Sequence, residues 1–415
     1  MSNYQIITEC RCCGSSNLVE LLDLGDLAFS GIFLGSGEVV PEGRLKLIGC
    51  DYNIQGNCGL VQLDRDFEQS FMYGENYGYR SGLNSDMICH LQENVIGILK
   101  KGRAKAGDII LDIGSNDGTT LSFYPDKFQK IGIDPTISKF QQYYPKNIIT
   151  LADFFTKTNF VKIFGAKKAK IVTSFSMFYD LPKPLEFAQD VADILDPVDG
   201  IWVLEQSDLH LMLKTNSVDT ICHEHSEYYS FTTLNYIFER ASLKVIDIEF
   251  NETNGGSSLI TVTHKTAQFE VNNQSISEAL AREAALMSDP IKTFKNFETK
   301  FNKQIQLLQQ YLQDCHNQNK KVAALGASTK GNIILQYASL APTQIPYIGE
   351  VNEDKYGKFS PGSSIPIVSE DWLIDQGYSE FVVLPWHFKS FFLKMKKLNG
   401  SKLIFVLPEY EEINV

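Results

Sequence analysis

Residues 109–136, IILDIGSNDGTTLSFYPDKFQKIGIDPT, constrain this chain more than any other segment. They read as a strand, a glycine turn, a helix and a second strand. A unit of that kind belongs in a mostly parallel sheet covered by helices. Related units follow: AKIVTSFSMFYDLPKP at 169–184, a helix near 185–195, and GIWVLEQS at 200–207. Strand-like patterns at Lys244–Glu249 and Ser257–His264, joined by the turn NETNGG, predict an antiparallel end to that sheet. Trp202 and Phe231 are expected in its core.

The chain has 415 residues, too many for one ordinary core. A helix is predicted near Met87–Lys101, with apolar residues at Ile88, Leu91, Val95, Ile98 and Leu99. A long helix follows the first sheet: Ile291, Phe294, Phe297, Phe301, Ile305, Leu308, Leu312 and Cys315 recur every three or four residues. Beyond it, KKVAALGASTKGNIILQYA and the strands IPYIGE, EFVVLPW and KLIFVLPE predict a second, smaller parallel sheet. Residues 1–60 read as a small turn-rich module. The expected organisation is 1–88 (zinc-binding and substrate-loop module), 89–265 (the large α/β core) and 266–415 (the connecting helix and a C-terminal α/β domain).

Five of the eight cysteines lie in the first sixty residues. Cys10 and Cys13 form C-x-x-C, and Cys50 and Cys58 make a second pair with seven residues between them. In a reducing compartment such clustering points to metal, and four thiolates suit a structural zinc with no open coordination position. Cys12 competes as a ligand, because C-R-C-C leaves the register open. Buried free thiols are the plainer alternative.

Composition narrows the partners. Hydrophobic residues are 43% and charged residues 21%, ordinary globular usage, and the net charge is −12. That balance argues against a broad nucleic-acid interface. No apolar stretch approaches the roughly 18 residues of a membrane span, and the N-terminus has no signal-peptide pattern. A soluble cytoplasmic protein is expected.

In LDIGSNDGTTL the glycines Gly114 and Gly118 are four apart, so this is not the G-x-G-x-x-G of dinucleotide sites. The form D-x-G-x-x-x-G suits S-adenosylmethionine. Gly114, Asn116 and Gly118 would approach the methionine part, Asp112 would address its ammonium, Asp134 would bind the ribose hydroxyls, and Asp153 would lie beside the adenine. NAD and an ordinary βαβ turn are the alternatives.

The segment DTICHEHSEYYS places His223, Glu224 and His225 together with Tyr228 and Tyr229 nearby. Its spacing excludes the H-E-x-x-H zinc-protease motif. A histidine beside a carboxylate is the equipment for taking a proton from carbon, whereas a polar loop with a satisfied core histidine is the bland reading. YGENYGYRSG carries Tyr73, Tyr77, Tyr79 and Arg80, which could close over a polar substrate or pack on the next domain. GASTKGN, with Ser328, Thr329, Lys330 and Asn332, opens a helix and could hold a phosphate or diphosphate. Trp386 and His387 of PWHF end another strand on the same rim.

Taken in order, CRCCGSSNLVELLDLG, YGENYGYRSG, LDIGSNDGTTL, MFYDLPKP, LEQS, HEHSEYYS, GGS, ALGASTKGNIILQY and VLPWHF resemble one family along nearly the whole chain. It is the family of S-adenosylmethionine-dependent C-methyltransferases of nucleotide-linked 4-keto-deoxysugars. The resemblance implies a zinc module, a class I (Rossmann-like) methyltransferase core and a C-terminal domain that binds the sugar nucleotide. It further implies methyl transfer to the carbon beside the ketone, C3, through an enediolate. By the same resemblance His225 is the base, Glu224 its partner and Tyr77 a stabiliser of the sugar oxygens; Tyr79, Arg80, His223 and Tyr228 are the expected substrate contacts beside them. Two departures stand out. The second cysteine pair is wider than in many relatives, and Cys222 occupies a position where they often have tyrosine. Competing readings are a keto-sugar-nucleotide epimerase, separated by solvent exchange without mass gain, and a zinc-bearing nucleic-acid-binding protein, tested by gel shift.

Overall fold

The fold was established from a computed structural model, which describes residues 4–68 and 79–415. The N-terminal module is more regular than its sequence suggests. Strand β1 (Tyr4–Ile6) pairs with β5 (Arg65–Phe67), and β2 (Leu18–Ala28), β3 (Glu42–Cys50) and β4 (Val61–Leu63) form an antiparallel sheet. Two long strands therefore replace the expected run of turns. The pairing of β2 with β3 shifts register twice, between Glu20 and Leu22 and between Asp23 and Asp26, where Gly25 takes φ +83°, and these irregularities hide the alternation a regular strand would show.

The helix Ser85–Lys101 begins at Asn84, whose side chain accepts from the Asp86 and Met87 amides, and buries Leu91, Val95 and Ile98. It leads into the central sheet. Strands β6 (Ile109–Ile113), β7 (Gln129–Ile133), β8 (Ile148–Leu151), β9 (Ala169–Phe175) and β10 (Ile201–Ser207) are parallel neighbours. All five residues of β6 are buried, the continuous apolar run of a strand covered on both faces. The short β11 (Glu227–Tyr228) leaves this domain and pairs with β4, so the central domain and the N-terminal module share one sheet. Strands β12 (Leu243–Asn251) and β13 (Ser257–His264) close the central sheet antiparallel, as predicted, in the order β12-β13-β10-β9-β6-β7-β8.

The predicted long helix is one unbroken helix, Pro290–Asn317, and a second helix the sequence reading did not anticipate precedes it. Asn273–Ser288 ends before a break at Asp289, which caps Pro290–Asn317 by accepting from the Lys292 amide. Proline at the first helical position explains the restart. Phe294 to Cys315 are buried as predicted, but Ile291 is exposed. This helix packs against β2 rather than merely linking domains. The C-terminal sheet is β14 (Val322–Leu325), β15 (Ile348–Glu350), β16 (Ile367–Ser369), β17 (Glu380–Val383), β18 (Lys402–Phe405) and β19 (Glu411–Asn414). Its order is β16-β15-β14-β17-β18-β19, parallel except for β19.

One apolar cluster runs from Leu22, Leu45 and Leu63 through Phe294, Phe301 and Leu308 to Val382 and Ile404. Another joins Cys10, Cys50 and Cys58 to Trp202, Phe231 and Leu234. The N-terminal module is thus wedged between both α/β domains. No helix among the described residues is long and apolar enough to cross a membrane.

Candidate functional site

A cavity of about 690 Å³ opens beyond the carboxyl ends of the central strands and is bounded on the other side by the start of the helix Thr329–Tyr337 and by Pro385, His387 and Phe388. Crevices at this end of an open α/β sheet are where such folds bind ligands, and the volume suits a cofactor-sized occupant.

One half of the cavity is built by the glycine turn. Gly114, at φ +74°, lines it, and a Cβ there would meet Met177 at 2.9 Å. The Asp134 carboxylate organises the turn, accepting the Asn116 amide at 2.9 Å and the Thr136 amide and hydroxyl at 2.6 Å each. Asp112, Asn116, Asp134 and Asp153 all line the cavity. Asp112 accepts the Thr173 hydroxyl at 2.5 Å, and burial pushes its carboxyl up to about 7. Gly118 does not line it. A Cβ at Gly118 would strike the Tyr144 ring at 2.7 Å, so this glycine, at φ +78°, serves packing rather than ligand approach. These groups fit the methyl donor: a narrow backbone approach, one acid beneath it and two acids at the ends of the next strands.

The other half holds the HEH segment. His225 lines the cavity, its ring 4.3 Å from that of Tyr179. Its Nδ1 lies 2.8 Å from the Thr220 carbonyl oxygen. A carbonyl only accepts, so Nδ1 carries the proton and Nε2 keeps its lone pair. Burial, and then the Lys330 charge, lower the imidazole to about 3. It is neutral wherever the protein works. Glu224 also faces the cavity but makes no hydrogen bond to His225; the Thr220 carbonyl does the orienting. Burial raises the Glu224 carboxyl, and its Oε2 has no hydrogen-bond partner among the described residues. Gly31 of the N-terminal module leaves room for that carboxylate, since a Cβ there would collide with it.

The C-terminal domain contributes Ser328, Thr329, Lys330 and His387. Lys330 donates to the Asn254 carbonyl, and burial lowers its ammonium. Burial and Lys330 together bring His387 down to about 3. Tyr79 lines the cavity too.

Five expected substrate contacts lie elsewhere. His223 is buried between Phe29 and Phe67 and bonds the Gly43 carbonyl at 3.0 Å, because the chain turns at 223–224 and sends the two histidines apart. Tyr228, on β11, faces a separate small internal cavity. Arg80 sits 3.8 Å from Asp117 and 3.9 Å over the Tyr143 ring, held outside by these partners. Asn332 donates to the Ser30 carbonyl at 2.7 Å, and Trp386 to Asp219 at 2.8 Å; both tie domains together. Tyr77 and Tyr73 lie outside the described residues. Sequence reasoning gave no role to Glu205, Tyr179, Asn254 or Cys222, all on the wall. A carboxylate ending the apolar run WVLE was the available signal for Glu205.

The metal site is compact. The sulfur atoms of Cys10, Cys13, Cys50 and Cys58 lie within 4.8 Å of one another, with Cys10–Cys58 and Cys13–Cys50 both at 3.5 Å. Zinc–sulfur bonds of about 2.3 Å place tetrahedral sulfurs about 3.8 Å apart, so this set fits zinc. A tight turn, with the Gly14 amide donating to the Cys10 carbonyl, presents the first pair. Cys12 is buried but outside the group, which resolves the register.

Comparison with known proteins follows the same divisions. Residues 10–73 match a family model for a zinc binding domain, 83–248 one for a methyltransferase domain, and 252–408 one for a C-methyltransferase C-terminal domain. The C-methyltransferase NovU of Streptomyces niveus is 26% identical over 408 residues, which cover 97% of this chain and 96% of that protein. Among solved structures, an S-adenosylmethionine-dependent methyltransferase from Clostridium acetobutylicum shares 10% identity, covering 43% of this chain and 92% of its own, with a TM-score of 0.35. Magnesium protoporphyrin IX methyltransferase from Synechocystis shares 12%, covering 46% and 91%, with a TM-score of 0.35.

Proposed function

We propose that this chain, a C-methyltransferase by its domain content, moves the methyl group of S-adenosylmethionine to C3, beside the ketone of a nucleotide-linked 4-keto-deoxysugar. The observation that carries the reading is one cavity lined by both the glycine turn with Asp134 and an imidazole whose Nε2 lone pair is free.

The ketone acidifies the neighbouring carbon. His225 Nε2 takes the C3 proton while Nδ1–H stays on the Thr220 carbonyl, leaving an enediolate on the sugar. Glu224, its carboxyl raised by burial, lines the same cavity. Bound S-adenosylmethionine supplies a methyl group on a positively charged sulfur, which departs as a neutral thioether. Ser328, Thr329 and Lys330 receive the diphosphate. A diphosphate over Lys330 also offsets the charge that lowers His225, so the base gains strength once substrate is bound. Zinc, by contrast, holds the N-terminal module and touches no reacting atom.

The test is His225→Asn, assayed in heavy water with a panel of keto-sugar nucleotides. Donor binding should persist, while methyl transfer and solvent exchange into substrate should fall together by roughly 10²–10⁴-fold. Lost methylation with full exchange would assign proton removal to another group. Exchange without mass gain in the wild type would make the protein an epimerase.

A further inference from the structure

Glu205 lies two residues before the end of β10 on the cavity wall, and its carboxylate is braced by neighbouring side chains. Oε2 lies 2.7 Å from His90 Nε2 and receives Asn94 Nδ2 at 3.3 Å, while Oε1 receives Asn251 Nδ2 at 2.5 Å. Burial lowers the His90 ring, but the Glu205 carboxylate outweighs that and raises it overall. A carboxylate offers about four acceptor directions, and the brace uses three. The remaining one belongs to Oε1, in a side chain that lines the cavity. Burying a charge is costly unless it is paired and hydrogen-bonded, and this brace supplies both.

The position selects the ligand. In the sheet order, β10 is two strands from β6, where Asp112 and the glycine turn sit, and two strand spacings amount to about 10 Å. Glu205 is therefore displaced from the methionine end of the donor. Ser207, Tyr179, Asn254 and His225 line the same cavity, and on the proposed function the acceptor lies against His225.

We infer that Glu205 binds the acceptor, taking a hydrogen bond from a sugar hydroxyl near the reacting carbon, and that His90, Asn94 and Asn251 are positioning residues for its carboxylate. This rests on the sugar-nucleotide reading above.

The test is Glu205→Gln in the full-length zinc-loaded protein, with the acceptor accepted by the wild type and analogues lacking one hydroxyl at a time. Acceptor KM should rise about ten- to a hundred-fold, the span for a hydrogen bond to a charged group. Calorimetric affinity for S-adenosylmethionine should stay within about two-fold. One deoxy analogue should bind wild type and variant equally. His90→Gln, which keeps a donor toward Glu205, should raise KM less than His90→Leu. Should Glu205→Gln not fold, Glu205→Asp, which withdraws the carboxylate by one carbon, is read in the same way. Unchanged KM in a protein that methylates overturns the inference while leaving the function intact. Loss of donor affinity instead would give Glu205 to the methyl donor and also overturn it. A wild type that methylates no keto-sugar nucleotide removes both.

Discussion

Replacing Cys58 by Ser tests whether the four-sulfur cluster is a metal site or a set of buried thiols. Structural zinc contributes about 10–16 kcal/mol of apparent binding energy in small zinc modules, so one thiolate of four carries roughly 3 kcal/mol. That corresponds to about a 10²-fold loss of zinc affinity. The cluster leans on the methyltransferase domain: Cys58 packs with Phe231 and Leu234, and its carbonyl accepts the Thr233 hydroxyl at 3.0 Å. Thermal stability should therefore drop across both units rather than in the N-terminal module alone. None of the four cysteines lines the main cavity, so affinity for S-adenosylmethionine should stay within about two-fold. The assay is zinc content after competition with a chromophoric chelator, with Cys12→Ser as the control that keeps its metal. Equal zinc retention in Cys58→Ser and wild type would refute the ligand set, and loss in Cys12→Ser would put the wrong sulfur in it.

Two further outcomes follow from the same geometry. Asp134→Ala frees the Asn116 and Thr136 donors and removes the acid expected on the ribose, so calorimetric affinity for S-adenosylmethionine should fall by about 1–3 kcal/mol; unchanged affinity would place the ribose elsewhere. His223, brought by burial from 6.5 to about 4, gives stability that is complete above pH 6.5 and lost as the pH falls toward 4, about 3 kcal/mol in all. His223→Phe keeps the stacking on Phe29 and Phe67 and should remove that acid limb in urea unfolding between those pH values; an identical limb in the variant would assign it to other groups.

What could be read from the sequence was local. The buried run IILDI, the glycine turn and the strand at 129–133 each declare themselves within a few residues, and cysteine pairs declare a tetrahedron because only sulfur chemistry needs them so close. What could not be read depends on partners far along the chain. Gly118 looks like a ligand-facing glycine until Tyr144 fills the space beside it. Asn332 and Trp386 look like rim residues until Ser30 and Asp219 claim their donors. His223 and His225 are equivalent in composition, and only the turn between them decides that one packs among aromatics and the other meets the cavity.

The contacts of the cysteine module reach the loop that carries His225. Two residues of β11 follow closely after the histidine, too few to fold by themselves. They are held because β4 pairs with them and the Leu63 amide donates to the Ser226 carbonyl at 2.9 Å. Arg11, between the first cysteines, donates to the Leu63 carbonyl at 2.8 Å and to that of Arg65 at 3.1 Å, and lies 3.6 Å from the buried Glu227. Zinc on the four thiolates would fix the turn that carries Arg11; Arg11 fixes β4 and the approach to β11, and β11 anchors the loop that carries His225. The N-terminal module therefore holds the backbone on which His225, the proposed base, stands.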